Sequence, residues 1–280
     1  MNYKIKVFGI GGGGSNTTDF IIKSKLKGIE TYSINTDAQA LENANAEHKI
    51  HIGKELTKGL GAGALPEIGR KAAEESHEEL ALALEGADIV FIASGMGGGT
   101  GTGAAPYIAE ISKSMGILTI AVVTKPFAFE GVSRMNMAID GLKRLETQAD
   151  VTIVIPNEKL IENHKDKYIE DAFVLPDDIL KTAVDSIIRM LDAVSNVGVN
   201  VDLNTLKVAL KDKGLAVMGI GESEASDLTP AENLQEALKK AVDSNILEIS
   251  IKGATQFIVL IGGNIEYLTP SEAEDVENFL

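Results

Sequence analysis

Two glycine-rich loops carry the residues of this chain best suited to chemistry. One, Gly9-Ile10-Gly11-Gly12-Gly13-Gly14-Ser15-Asn16, follows the run Tyr3 to Phe8; the other, Gly95-Met96-Gly97-Gly98-Gly99-Thr100-Gly101-Thr102-Gly103, follows Asp88 to Ala93. A glycine-rich turn from strand to helix lets backbone N–H groups approach phosphate oxygens, and the helix N-terminus adds partial positive charge. Gly9, Gly11 and Gly14 alone satisfy G-x-G-x-x-G, with Asp37 near the end of the next strand, which is formally a dinucleotide fingerprint. A dinucleotide site leaves the second loop unexplained. Two loops at the carboxyl edge of one parallel sheet can grip a single polyphosphate from two sides. No G-x-x-x-x-G-K-[ST] occurs, so amides, helix dipoles and a hydrated cation must balance the phosphate charge.

The elements that hold these loops are legible as an alternation. Short apolar runs at Lys4 to Phe8, Thr31 to Ile34, Ile89 to Ala93, Leu118 to Val123 and Val151 to Ile155 predict strands buried on both faces of a parallel sheet. Between them Pro66 to Leu84 reads as one helix, with Ile68, Ala72, Leu80 and Leu84 inward and Glu74, Glu75, Glu78 and Glu79 on a solvated face. Glu170 to Val194 has helical spacing, with Pro176 either in a first turn or at a kink. Further on, helices from Leu203 to Asp212 and Thr229 to Ser244, with strands at Leu215 to Ile220, Leu247 to Ile251 and Phe257 to Ile261, predict a second, smaller α/β domain.

Composition narrows the partners. The chain has 280 residues, 44% hydrophobic and 24% charged, enough for one or two domains with a substantial core. A net charge of −15 disfavours nucleic acid and direct binding to anionic membranes. There is no cysteine, which excludes disulfides and cysteine-ligated metals. No signal peptide opens the chain and no apolar run suggests a spanning helix, so a cytoplasmic protein is expected.

The second loop, Gly97-Gly98-Gly99-Thr100-Gly101-Thr102-Gly103, matches the signature of the tubulin/FtsZ superfamily, and the chain resembles FtsZ in particular. The resemblance continues through Ile34 to Leu41, Gly59 to Pro66, Val123 to Gly131, Ile155-Pro156-Asn157 and Lys213 to Gly221, and covers residues 3 to 263. It implies a Rossmann-like GTP-binding domain over 1–169, a central helix over 170–194 and a C-terminal activation domain over 195–280. It also implies a set of GTP contacts. Gly11, Gly12 and Asn16 would line the first phosphate loop, Ala62, Gly63 and Ala64 would approach the terminal phosphate, and Gly98, Gly99, Thr100, Gly101 and Thr102 would cradle the phosphates. Glu130 and Arg134 would hold the ribose side, and Asn157, Phe173 and Asp177 the guanine. The chemistry agrees at Asp177, whose carboxylate can accept from guanine N1–H and N2–H, which adenine lacks. Without the family, Glu130 and Arg134 read as an ordinary surface pair and Phe173 as core. Mg²⁺ would be held mainly by phosphates and water.

The resemblance further implies head-to-tail filaments for cell division, other cell-division proteins as partners, and GTP hydrolysis completed by a neighbouring subunit. The family's N-x-D-x-x-D segment would position the attacking water; here it reads Asn200-Val201-Asp202-Leu203-Asn204-Thr205. Threonine replaces the second acid, and a hydroxyl is a far weaker base than a carboxylate. Attenuated turnover is therefore expected, with Asn200, Asp202 and Thr205 as the catalytic set. The alternative is a non-hydrolysing regulator that caps or copolymerises with a full-length relative. The central helix has Ala183-Val184-Asp185-Ser186 in place of the family's glutamine-and-glycine pattern. The family's C-terminal domain also has strands beyond the helix beginning near Ser271, and their lack suggests a fragment or a divergent member.

Overall fold

The computed structural model describes residues 3–23, 28–158, 169–196, 203–224 and 228–243, with 253, 254, 257–259, 261, 276 and 279. The chain divides into two compact units, Met1–Ala216 and Val217–Leu280.

The first unit is built on one parallel sheet. Its strands are β1 Ile5–Ile10, β2 Ile29–Asn35, β3 His48–His51, β4 Ile89–Gly95, β5 Leu118–Lys125, β6 Val151–Pro156 and β7 Gly214–Ala216. They lie in the order β3-β2-β1-β4-β5-β6-β7, every ladder parallel. The helices are α1 Gly11–Lys23, α2 Ala38–Asn43, α3 Lys54–Thr57, α4 Pro66–Glu75, α5 His77–Leu84, α6 Thr100–Ser114, α7 Val132–Gln148, α8 Ile169–Asn196 and α9 Leu203–Leu210. β1 is buried along its whole length, and β4 up to its last residue, as their continuous apolar runs require. Strand order reverses between β1 and β4, which pair from Ile5↔Ile89 to Ile10↔Ser94. That register brings both glycine loops side by side at the carboxyl edge of the sheet, where open α/β folds bind ligands.

Several expectations change. The helix read over 66–84 is two, α4 and α5, broken at Ser76, whose hydroxyl accepts from Gly53 N at 3.1 Å. The acidic face of that stretch is exposed as expected, and it pairs at the surface: Glu74 with Arg70 at 2.8 Å, Glu79 with Lys54 at 3.6 Å, and Glu75 accepts from the first amides of α3. The strand expected over 215–220 is only Gly214–Ala216, and it extends the first sheet instead of founding a second one, because Lys213 and Gly214 donate to the Asp150 carbonyl at the start of β6. α8 begins well before Pro176, which sits inside the helix rather than in its first turn.

In the second unit, α10 Pro230–Val242 begins with a capping box. Thr229 Oγ1 accepts from Glu232 N at 3.3 Å, and the Glu232 carboxylate accepts from Thr229 N at 2.8 Å. Gly219 and Gly221 lie so close to the Ala241 and Ala237 carbonyls that a Cβ at either would collide. The strand expected over Leu247 to Ile251 lies outside the described residues, and Phe257, Ile258 and Val259 are not in a strand. No described helix is long and apolar enough to cross a membrane.

Candidate nucleotide site

Backbone packing sorts the glycines into two groups. Some let elements touch. A Cβ on Gly14 would collide with the Ala93 carbonyl, one on Gly101 with Ser94 Oγ, and one on Gly103 with the Pro66 carbonyl. These positions hold α1, α6, β4 and α4 together. Others face open space: nothing lies within 4 Å of a Cβ built on Gly12, Gly63 or Gly98. Those three come from the first turn of α1 and from two separate loops, and bare backbone facing open space is what a polyanion requires.

The three segments meet. A Cβ on Gly11, whose φ is +74°, would stand 3.5 Å from Gly101 N. One on Gly99 would stand 2.7 Å from Ala62 Cβ and 3.2 Å from Ala64 N. Gly11, Gly12, Ala62, Gly63, Ala64 and the run Gly98 to Thr102 thus belong to one locality, at the N-termini of α1 and α6. Gly99 precedes α6 with no side-chain cap on the helix, which leaves its first amides available. Thr102 turns its hydroxyl inward, accepting from Gly97 N at 2.8 Å, and so shapes the loop.

Asp177 and Arg134 border this locality, and Asn157 lies at the same edge of the sheet. Asp177 on α8 accepts from Asn16 Nδ2 on α1 at 2.5 Å. A Cβ on Gly13 would be 3.4 Å from Asp177 Oδ1, so this carboxylate borders the first loop. Burial pushes the Asp177 carboxyl above its ordinary range, against the opposing pull of Asn16 and Lys181. Glu130 and Arg134 pair at 2.9 Å, and the other Glu130 oxygen accepts from Phe127 N at 2.8 Å. Asn157, at the carboxyl end of β6, is 7% exposed, and its Oδ1 is buried without a hydrogen-bond partner. A buried acceptor left unpaired is costly, and a donor from a ligand would satisfy it. The glycine loops therefore fit the phosphates of a nucleotide, with Asp177 bordering the first of them. For Phe173 the structure describes only its place in α8, and for Thr205 only its place in α9; Asn200 and Asp202 lie outside the described residues.

Sequence reasoning missed the supports of these loops. Thr36 Oγ1 bonds Thr100 Oγ1 at 2.7 Å, while its carbonyl accepts from Thr57 Oγ1 at 3.1 Å and Gly61 N at 3.2 Å. It ties two phosphate-facing loops to the end of β2. Glu158 accepts from Ala128 N at 2.9 Å and steadies the turn that carries Glu130. Thr36 stood inside a quoted motif and Glu158 next to one, but spacing along the chain gives neither a partner.

Residues 4–165 match the profile of the Tubulin/FtsZ family, GTPase domain. The chain is 47% identical over 260 residues to cell division protein FtsZ 1 of Pyrococcus furiosus, spanning 93% of this chain and 68% of that protein. An empty FtsZ dimer from M. jannaschii superposes with a TM-score of 0.87 at 42% identity, over 100% of this chain and 79% of that one. The GTPγS-bound CetZ2 protofilament of Haloferax volcanii shares the fold, with a TM-score of 0.69 at 21% identity over 85% and 73% of the two chains. With these similarities and a doubly looped nucleotide cradle at the switch point of its sheet, the chain belongs to the tubulin/FtsZ family of GTPases and, within it, is FtsZ-like.

Proposed function

We propose that this chain binds GTP in the three-loop cradle, assembles head to tail into filaments that serve cell division, and hydrolyses GTP slowly at subunit interfaces. The observation that carries the reading is the conjunction of open-facing Gly12, Gly63 and Gly98 with the unpaired Asn157 Oδ1 and the semi-buried Asp177 carboxylate. The glycine amides and two helix N-termini receive the phosphates. Asp177 accepts from guanine N1–H and N2–H, Asn157 Oδ1 takes a further donor from the base, and Phe173 stacks on it. Glu130 and Arg134 hold the ribose. Mg²⁺, held mainly by the phosphates and water, would offset the phosphate charge. The working compartment is the cytosol.

The dimeric state of the M. jannaschii relative supports self-association. A head-to-tail contact is heterologous and propagates as an open filament, so each nucleotide lies at a junction. The neighbour supplies Asn200, Asp202 and Thr205. With threonine in the last position the water is hydrogen-bonded but poorly deprotonated, and loss of a general base lowers rates by about 10²–10⁴-fold. Thr205 also favours a second reading, a GTP-bound regulator that caps or copolymerises with a full-length relative without turnover.

Phosphate release from GTP, measured against protein concentration, tests the assignment. Turnover per subunit that switches on above a threshold is expected of a polymerising GTPase. No release at any concentration, with GTP bound and no pelleting of the chain alone, selects the regulator. Failure to bind GTP at all overturns both.

A further inference from the structure

The turn after α9 is tied to the base of the sheet by a group the nucleotide site does not use. Asp150, just before β6, is only 4% exposed. One carboxylate oxygen accepts from Thr119 N at 2.8 Å and the other from Asp212 N at 3.2 Å. Its backbone carbonyl accepts from Lys213 N at 2.8 Å and Gly214 N at 2.9 Å. Asp212 and Gly214 reverse the chain with φ of +54° and +72°. On the outside, Lys113 Nζ lies 3.0 Å from Asp212 Oδ1 and donates to the Thr147 carbonyl at 3.3 Å. A single buried carboxylate thus joins the start of β5 to the end of α9, with a surface ion pair latched over it.

The ties described for α9 lie at its C-terminal end. Among its residues with described side chains, Asn204 and Lys207 to Leu210, none is buried, and Val208 is 77% exposed. The anchor at the C-terminal end is thus placed to bear on its orientation. Thr205 lies seven residues before Asp212, about 10 Å away at the rise of a helix. A tilt of about 6° at the anchor moves Thr205 by about 1 Å, and misplacement on that scale can lower a rate by about 10²-fold.

We propose that Asp150, with the Lys113–Asp212 pair over it, is a positioning device that aims α9, and Thr205 on it, at the nucleotide of the next subunit. The proposal rests on the head-to-tail reading above. Asp150 and Asn157 flank β6, and six strand residues span about 20 Å, so the clamp lies at the opposite edge of the sheet from its own subunit's cradle. It touches no nucleotide and acts only through α9.

The test compares Asp150→Asn, Lys113→Met and Lys113→Arg, each alone and on Thr205→Asp, by GTP affinity, sedimentation threshold and kcat in the polymer. Asparagine in place of Asp150 would turn its own N–H₂ toward one of the two backbone donors. The expected result for Asp150→Asn is a kcat lower by about 10- to 100-fold, with GTP affinity and sedimentation threshold unchanged. Lys113→Met lowers kcat by a smaller factor and Lys113→Arg restores it. Should Asp150→Asn fail to fold, the exposed Lys113 pair still decides. Unchanged kcat in Lys113→Met and Asp150→Asn, where the unsubstituted chain shows a threshold, overturns the clamp alone. So does a parallel loss of GTP affinity, which marks a merely structural tie. Turnover without a concentration threshold, or none even with Thr205→Asp, overturns the head-to-tail reading and the clamp with it.

Discussion

In the proposed function, Asp177 sets binding against stability within one side chain. Its raised carboxyl means that the folded, empty chain binds this proton more readily than the unfolded chain. Its contribution to stability is therefore greatest below the ordinary Asp range and is lost as pH rises through the raised value. Asp177→Asn removes that ionisation, and an amide oxygen still accepts from Asn16. The expected outcome is a higher Tm for the nucleotide-free protein at neutral pH, read by calorimetry. GTP affinity moves the other way, falling about 10- to 100-fold as a charged hydrogen bond is lost. In the unsubstituted protein, GTP affinity measured by titration should decline on acidification before an ordinary aspartate would protonate, and this decline should vanish in Asp177→Asn.

At the scale of elements, glycines of one motif do different work. Gly14 and Gly101 allow α1, α6 and β4 to approach, whereas Gly12 and Gly98 face open space, which the proposed function gives to the ligand. Gly14→Ala should therefore cost about 1–3 kcal/mol or more in denaturant unfolding, since backbone and not a flexible side chain blocks the new methyl. Gly98→Ala should unfold like the parent yet bind GTP more weakly, because the methyl takes up phosphate space. Equal destabilisation by both would reject this division. The glycine pattern itself was plain in the sequence. Which glycine serves packing and which serves the ligand was not, because that depends on the distance between loops 80 to 90 residues apart along the chain. The same holds for α4 and α5, where the break at Ser76 follows from a bond to Gly53 that periodicity cannot register.

For the whole molecule, the decisive substitution is Thr205→Asp. A carboxylate restored there should raise phosphate release per subunit above the assembly threshold by about 10-fold or more while leaving GTP affinity alone. No change would mean that Asp202 or another group suffices. The sequence alone determined the α/β class, the parallel sheet, the two glycine-rich turns and the family, because buried parallel strands and tight strand-to-helix turns demand continuous apolar runs and glycine at fixed spacing. It also exposed the odd threonine, since a missing acid is visible without coordinates. Tertiary structure decided the rest. The register of β1 on β4 brings the two loops together, the unpaired Asn157 Oδ1 and the raised Asp177 carboxyl arise from burial, and β7 joins the first sheet through Asp150. These depend on distance and dielectric between segments far apart in the chain, which residue order does not encode locally and only packing supplies.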